Sequence, residues 1–210
     1  MMFAELMADV DPATQADYAQ RIARRAGHLN ELVNDLFDYA TIRSQTTAIS
    51  LEPLALAAFA SSTVDGIRPA LHDHPVIVED STLTAWADPI AMNRILENLL
   101  TNAANYSAPG APISLTFHAS RDVVRVSVTD QGRGIAPHDL DTIFDEFTRG
   151  RLAEDDGGTG LGLASVQRLA TMQGGRVWID SELGRGTTVT VQLARAPETM
   201  PLTTATSDDE

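Results

Sequence analysis

The 210-residue chain contains neither lysine nor cysteine. Without cysteine there is no disulfide and no thiolate metal site. Without lysine, two common phosphate-binding devices are excluded. One is the Gly-Lys-Ser/Thr loop, whose ammonium reaches the terminal phosphates; the other is the strand lysine of eukaryotic-type protein kinases. All 15 basic side chains are therefore arginine, and they face 29 Asp and Glu, for a net charge of −14. Such a field repels polyanions, so no nucleic-acid partner is expected. A single nucleotide is compatible with it, because local amides and a cation offset its charge. No apolar run reaches membrane-spanning length and no signal peptide opens the chain, so a soluble, cytoplasmic protein is expected. Aromatic residues are only 5%, but an apolar content of 43% suffices for a core.

Glycine is concentrated in two clusters, Asp130-Gln131-Gly132-Arg133-Gly134-Ile135 and Gly158-Thr159-Gly160-Leu161-Gly162-Leu163. Glycines this dense are expected to serve backbone approach to a ligand rather than packing, with amides turned toward an anion. The second cluster runs into the periodic apolar segment Leu161, Leu163, Val166, Leu169, Ala170, which sets its amides at a helix N-terminus, a favourable place for phosphate. A dinucleotide fingerprint does not fit the first cluster: Pro137 follows where its third glycine should stand.

The chain divides into four parts. In residues 1–43, Ile22, Ala26, Leu29, Val33, Leu36 and Ala40 alternate at spacings of four and three, a helix-packing seam over 14–43. Residues 44–50 read as a polar linker, 51–195 as the main domain and 196–210 as a disordered acidic tail. Within the main domain the pattern predicts a helix over 54–71, short strands at 76–80 and 84–86, and a helix from Asp88-Pro89 to Tyr106. It then predicts a hairpin at 113–119 and 123–129, a loop over 131–159, a helix at 160–173 and a last hairpin at 176–181 and 187–193. The expected architecture is α+β, a two-layer sandwich in which helices cover one face of a mixed sheet.

Two polar features stand out. Asp130 continues the face of Val124, Val126 and Val128, so its carboxylate is aimed toward the core and needs a donor such as an adenine amine. An aspartate merely starting a turn has the same local sequence. Asn98 and Asn102, four apart, share one helix face. Their amide oxygens suit Mg²⁺, which takes few protein ligands beside nucleotide phosphates, and they equally suit a solvated polar stripe.

In order, the chain shows Asn98/Asn102, Asp130-x-Gly132-x-Gly134-Ile135, Phe144/Phe147, Gly158-Thr159-Gly160-Leu161-Gly162-Leu163, and Gly184-x-Gly186-Thr187. This succession resembles the ATP-binding domain of bacterial two-component sensor histidine kinases, the fold shared with gyrase, Hsp90 and MutL. The resemblance covers residues 14–195, and the first helix resembles the second helix of a dimerisation hairpin. It implies ATP and Mg²⁺ as cofactors. Asn102 would be the Mg²⁺ ligand and Asn98 would line the phosphates. Asn105 stands where a phosphate cation is common, and Tyr106 would flank the nucleotide. Asp130 would accept from the adenine amine, with Gly132, Gly134 and Ile135 around the ring and Thr187 nearby. Residues 158–163 would form the end of a lid, and Arg149 would reach the γ-phosphate. Phe144 and Phe147 fit either core packing or the positioning of that lid.

The same resemblance implies transfer of the γ-phosphoryl group to a histidine, signalling to a response regulator, and a homodimer through residues 14–43. It also exposes a departure. No histidine here has the acceptor context of an acidic residue and a nearby proline, and the acceptor would lie about ten residues before Met1. His28 falls on the wrong helix, His72 and His74 read as a loop pair, and His118 and His138 as surface positions. Transfer is therefore expected in trans or within a longer native protein, with no self-phosphorylation. The alternative is a non-catalytic or weakly hydrolysing ATP-binding interaction module, since the Glu of the hydrolytic relatives is replaced by Asn98, with Glu97 rotated away.

Overall fold

A computed structural model of the chain describes residues 14, 15, 18, 19, 21, 22, 49–148 and 160–197. The predicted helical seam of 14–43, the linker up to residue 48 and the tail beyond Pro197 lie essentially outside the described residues. Elements follow in the order β1 (Glu52–Ala55), α1 (Leu56–Gly66), a 3₁₀ turn (Arg68–Leu71), β2 (Val76–Val78), β3 (Thr84–Ala87), α2 (Pro89–Tyr106), β4 (Ile113–Ser120) and β5 (Val123–Thr129). They continue with α3 (Pro137–Leu140), α4 (Gly162–Met172), β6 (Arg176–Glu182) and β7 (Gly186–Ala194).

Five strands form one mixed sheet in the order β2-β4-β5-β7-β6; β2–β4 is parallel and the other pairs are antiparallel. The alternation seen in sequence decides its two faces. Val124, Val126, Val128, Leu115, Val189, Val191 and Leu193 are buried with Ile95, Leu96, Leu99 and Leu100 of α2 and Val166, Leu169 and Ala170 of α4. Thr116, His118, Arg125, Ser127, Thr188 and Gln192 fall on the other parity. Helices therefore cover one face, the expected two-layer sandwich. Leu100 is fully buried, and its truncation to Ala should cost about 2–5 kcal/mol.

The sequence pattern missed three elements. The predicted helix over 54–71 begins as β1, because Glu52–Ala55 pairs antiparallel with Ala87–Thr84 in a separate two-stranded sheet. Pro53 is tolerated there because a two-stranded ribbon leaves amides unpaired. The same segment breaks at Gly66 and restarts as the 3₁₀ turn with Pro69 near its start, where a missing N–H costs nothing. Inside the predicted loop, Pro137 opens the one-turn helix α3.

The frame that holds α2 is a buried polar hub. Asp88 caps the helix, Oδ1 accepting from Ala91 N at 2.9 Å, while Oδ2 accepts from Ser50 N at 2.8 Å. The Asp88 amide in turn donates to Gln173 Oε1 at 2.8 Å, at the end of α4. Asp88 and Gln173 are both buried. One residue, through its carboxylate and its amide, thus ties the entry to the domain, the start of α2 and the end of α4 together, which fixes the two helices whose other ends meet at the site.

Candidate nucleotide site

α2 presents Asn98 and Asn102 one turn apart, both half-buried. Asn98 donates from Nδ2 to the carbonyl of Arg94 at 3.0 Å, which turns its Oδ1 outward. That oxygen meets the first residue of α4: a Cβ on Gly162 would stand 3.0 Å from Asn98 Oδ1 and 3.6 Å from Asn102 Nδ2. The two asparagines therefore abut the N-terminus of α4, whose first-turn amides have no acceptor inside the helix. The Asn102 side chain makes no hydrogen bond among the described residues. Asn105 is exposed. Glu97 points elsewhere: its Oε1 accepts from Asn93 Nδ2 at 2.7 Å, and Asn93 Oδ1 accepts from Thr63 of α1 at 3.0 Å.

Asp130 follows the last residue of β5 and continues its pairing with β7. Its amide donates to the Thr187 carbonyl at 2.9 Å. Its Oδ1 accepts from two amides, Gly132 at 2.8 Å and Thr187 at 3.2 Å. Oδ2 has no such partner among the described residues and remains available to a ligand donor. Burial raises the carboxyl above its ordinary 3.8, and the two amides, by stabilising the ionised form, hold the rise back. The turn reading and the ligand reading of Asp130 thus coexist, one on each oxygen.

The glycines correct an expectation. Three of them serve backbone-to-backbone packing, not ligand approach alone. A Cβ on Gly132 would strike the Tyr106 carbonyl, one on Gly134 the Glu182 carbonyl, and one on Gly186 the Asp130 carbonyl. Gly134 and Gly186 also have φ of +69° and +112°. The space at Gly134 that was read as room for a ring is filled by the β6–β7 turn. Leu161 is buried, and Leu163, partly buried, packs against the core.

Sequence reasoning overlooked Ser181. Its hydroxyl accepts from Ile135 N at 2.9 Å, donates to the Gly186 carbonyl at 2.9 Å and lies 2.9 Å from Thr187 Oγ1. It therefore links the loop after β5 to β7 and occupies the Ile135 amide, leaving that residue its side chain for a ligand. A polar residue just ahead of Gly184-x-Gly186-Thr187 was the available signal. Tyr106 closes the other side; its carbonyl accepts from Arg133 N at 3.2 Å and the Arg133 guanidinium lies 4.7 Å from its ring centroid.

Of the predicted lid, Arg149, Gly158 and Thr159 lie outside the described residues. Its two margins meet: Phe147 N donates to the Gly160 carbonyl at 3.0 Å, with φ of +61° at Phe147 and +70° at Gly160. Phe147 is 63% exposed, which rules out the core reading for this residue. Phe144 is half-buried. His74 lies in the loop before β2, as expected, and is buried there, with Nδ1 2.8 Å from the Ala111 carbonyl. His72, His118 and His138 are exposed, and His28 lies outside the described residues.

The donor set bears on a metal. Among the described residues no three His, Cys, Asp or Glu come together to hold an ion. The unbonded Asn102 amide offers one neutral hard oxygen, which fits a Mg²⁺ ion that arrives with phosphates and does not fit a self-sufficient protein cage.

Residues 87–197 match the family described as histidine kinase-, DNA gyrase B- and HSP90-like ATPase. Over 183 residues the chain is 31% identical to histidine protein kinase DivJ of Caulobacter vibrioides, covering 85% of this chain and 31% of that protein. Among solved structures, full-length ShkA in complex with AMPPNP matches with a TM-score of 0.70 and 28% identity, over 94% of this chain and 42% of that one. The mycobacterial sensor histidine kinase MprB matches with a TM-score of 0.64 and 26% identity, over 70% of this chain and 99% of that one. The chain thus spans about a third of the length of the curated relative. No described helix is long and apolar enough to cross a membrane.

Proposed function

Because the chain belongs to the histidine kinase-, DNA gyrase B- and HSP90-like ATPase family, we propose that residues 51–195 are the ATP-binding catalytic unit of a sensor histidine kinase. The observation that carries this reading is the meeting of three elements on α2: Asn98 and Asn102 against the start of α4, and the Asp130 loop against Tyr106. Adenine is held by its amine donating to Asp130 Oδ2. The phosphates lie at the α4 N-terminus, where free amides and the helix dipole favour negative charge. Asn102 Oδ1 would hold a Mg²⁺ ion arriving with the nucleotide, and the ion would supply neutralisation of the phosphate charge. Arg149 serves the γ-phosphate.

The reaction is transfer of that phosphoryl group to an imidazole nitrogen, with ADP leaving. Catalysis here is positioning plus charge stabilisation. The acceptor histidine belongs to a segment outside the motifs of this chain, and a response regulator receives the group next. Residues 14–43 form the dimer contact. A water-activating carboxylate is not available at the right place: Glu97 is engaged toward Asn93 and α1. That favours a kinase over a hydrolytic ATPase of the gyrase type.

The test is labelled γ-phosphate transfer. The chain alone should bind Mg·ATP without labelling itself, and should give an acid-labile, base-stable product on an added acceptor-helix protein. Labelling of the lone chain that disappears in His28→Ala would refute the trans reading. Absence of Mg²⁺-dependent ATP binding would refute the site.

A further inference from the structure

The helices that pack in the described core lie on one face of the five-stranded sheet, and the other face is not uniformly polar. The register aligns His118, Arg125, Gln192 and Arg176 in one row across β4, β5, β7 and β6, and Thr116, Ser127, Thr190 and Trp178 in the next. The guanidinium groups of Arg125 and Arg176 each lie 5.5 Å from the Trp178 ring centroid. Arg176 also donates to Gln192 Oε1 at 3.0 Å. Neither arginine meets a carboxylate within 4 Å among the described residues, and Arg125 Nε is buried without an acceptor. Asp180 and Glu182 are the acidic residues of β6 on this face, two and three rows from Arg176, and Glu182 is paired with Arg185 at 2.8 Å. A chain of net charge −14 thus stacks two cations on an indole with no carboxylate beside them among the described residues.

β7 leaves the five-stranded sheet at Ala194; Arg195 then bridges Ala85 of β3 and Ala196 N donates to the Thr84 carbonyl, so the last described residue, Pro197, follows on beside the small sheet. Residues 198–210 contain Glu198, Asp208, Asp209 and Glu210 and no basic residue. Thirteen residues reach up to about 40 Å when extended, and adjacent strands are about 4.8 Å apart. The acidic end is therefore within reach of the row that carries Arg125 and Arg176.

We propose that the acidic tail, residues 198–210, docks on the bare sheet face against Arg125, Trp178 and Arg176. The carboxylates of Asp208, Asp209 and Glu210 supply the counter-charge that the two guanidinium groups do not find among the described residues, and Met200 and Leu202 offer apolar surface to the indole. The docking is independent of the nucleotide site, because Asp130 lies beyond the opposite end of β5.

The absence of cysteine gives a direct test on the full chain. A nitroxide on Ser207→Cys should broaden the Trp178 indole N–H resonance strongly, and more than that of Trp86 on β3, although the tail starts beside β3. The broadening should fade at about 300 mM salt, where screening is strong. It should also be lost in Asp208→Asn/Asp209→Asn/Glu210→Gln, which leaves the folded core untouched, and in Arg125→Gln/Arg176→Gln. Equal or absent broadening of the two indoles would overturn the proposal. So would persistence in the neutralised tail. Broadening that arises only when labelled and unlabelled chains are mixed would assign the face to a second copy instead.

Discussion

Asp130 and Thr187 hold each other by both backbone and side chain: the Asp130 amide donates to the Thr187 carbonyl at 2.9 Å, and the Thr187 amide donates to Asp130 Oδ1 at 3.2 Å. The carboxylate is thereby fixed in orientation with one oxygen spent on protein and the other open. A ligand donor meets an acceptor that needs no further ordering, which is what makes a buried charge useful in a binding site.

Asp130→Asn separates binding from stability. The amide oxygen can still accept from Gly132 and Thr187, but the ligand would face an N–H in place of Oδ2. ATP affinity should fall about 10- to 100-fold, the size of a hydrogen bond to a charged group. Calorimetric titration with Mg·ATP checks this; unchanged affinity would remove Asp130 from the site.

The same variant has a pH signature. Burial raises the folded-state carboxyl above its ordinary value. A raised acid costs stability where it is ionised: the cost is absent below the unfolded value and develops as pH rises through the folded one. Asp130→Asn lacks that cost. Its melting temperature relative to wild type should therefore increase between about pH 4 and about pH 7. A difference that stays flat over this range would contradict the sign.

Gly134 and Gly186 should be structural and Gly162 functional. Alanine at either of the first two meets a carbonyl oxygen in a left-handed backbone, a strain of about 1–3 kcal/mol before the clash is counted. The melting temperature should drop by at least about 4 °C. At Gly162 the Cβ meets side-chain amides rather than backbone, Asn98 Oδ1 at 3.0 Å and Asn102 Nδ2 at 3.6 Å, and helix propensity favours alanine. Gly162→Ala should keep the melting temperature while weakening ATP binding. Equal losses of stability in all three would refute the distinction.

Phe147 offers a test of the lid margin. An exposed aromatic at φ +61° carries strain without burial. Phe147→Gly should leave stability unchanged or raise it by up to about 1 kcal/mol. A core phenylalanine would instead lose about 3–5 kcal/mol on truncation, and urea unfolding discriminates the two.

The Asp88 hub predicts a larger effect from a small change. Asp88→Ala removes the cap and orphans the Ser50 amide, for about 1–3 kcal/mol by urea unfolding. A loss confined to a few tenths would mean that water replaces the carboxylate at both contacts.

Several features were already decided by local sequence. The alternation of Val124, Val126 and Val128 set which face of β5 is buried, because strand side chains alternate whatever the partner. Asp88-Pro89 set where α2 begins, and the four-residue step from Asn98 to Asn102 set their common face, because capping and helical period act over one turn. The motif order was likewise enough to point to the nucleotide fold. Tertiary structure decided what pairs across long separations. Glu52–Ala55 became a strand only because Thr84–Ala87 lies beside it, overriding a helical pattern. Ser181 acquired its role only when Ile135, Gly186 and Thr187 converged on its hydroxyl. The glycines at 132, 134 and 186 were visible as a cluster, but what fills the space above each is a carbonyl from a distant segment. Backbone approach between distant segments leaves no period in the sequence, so only the folded chain could show it.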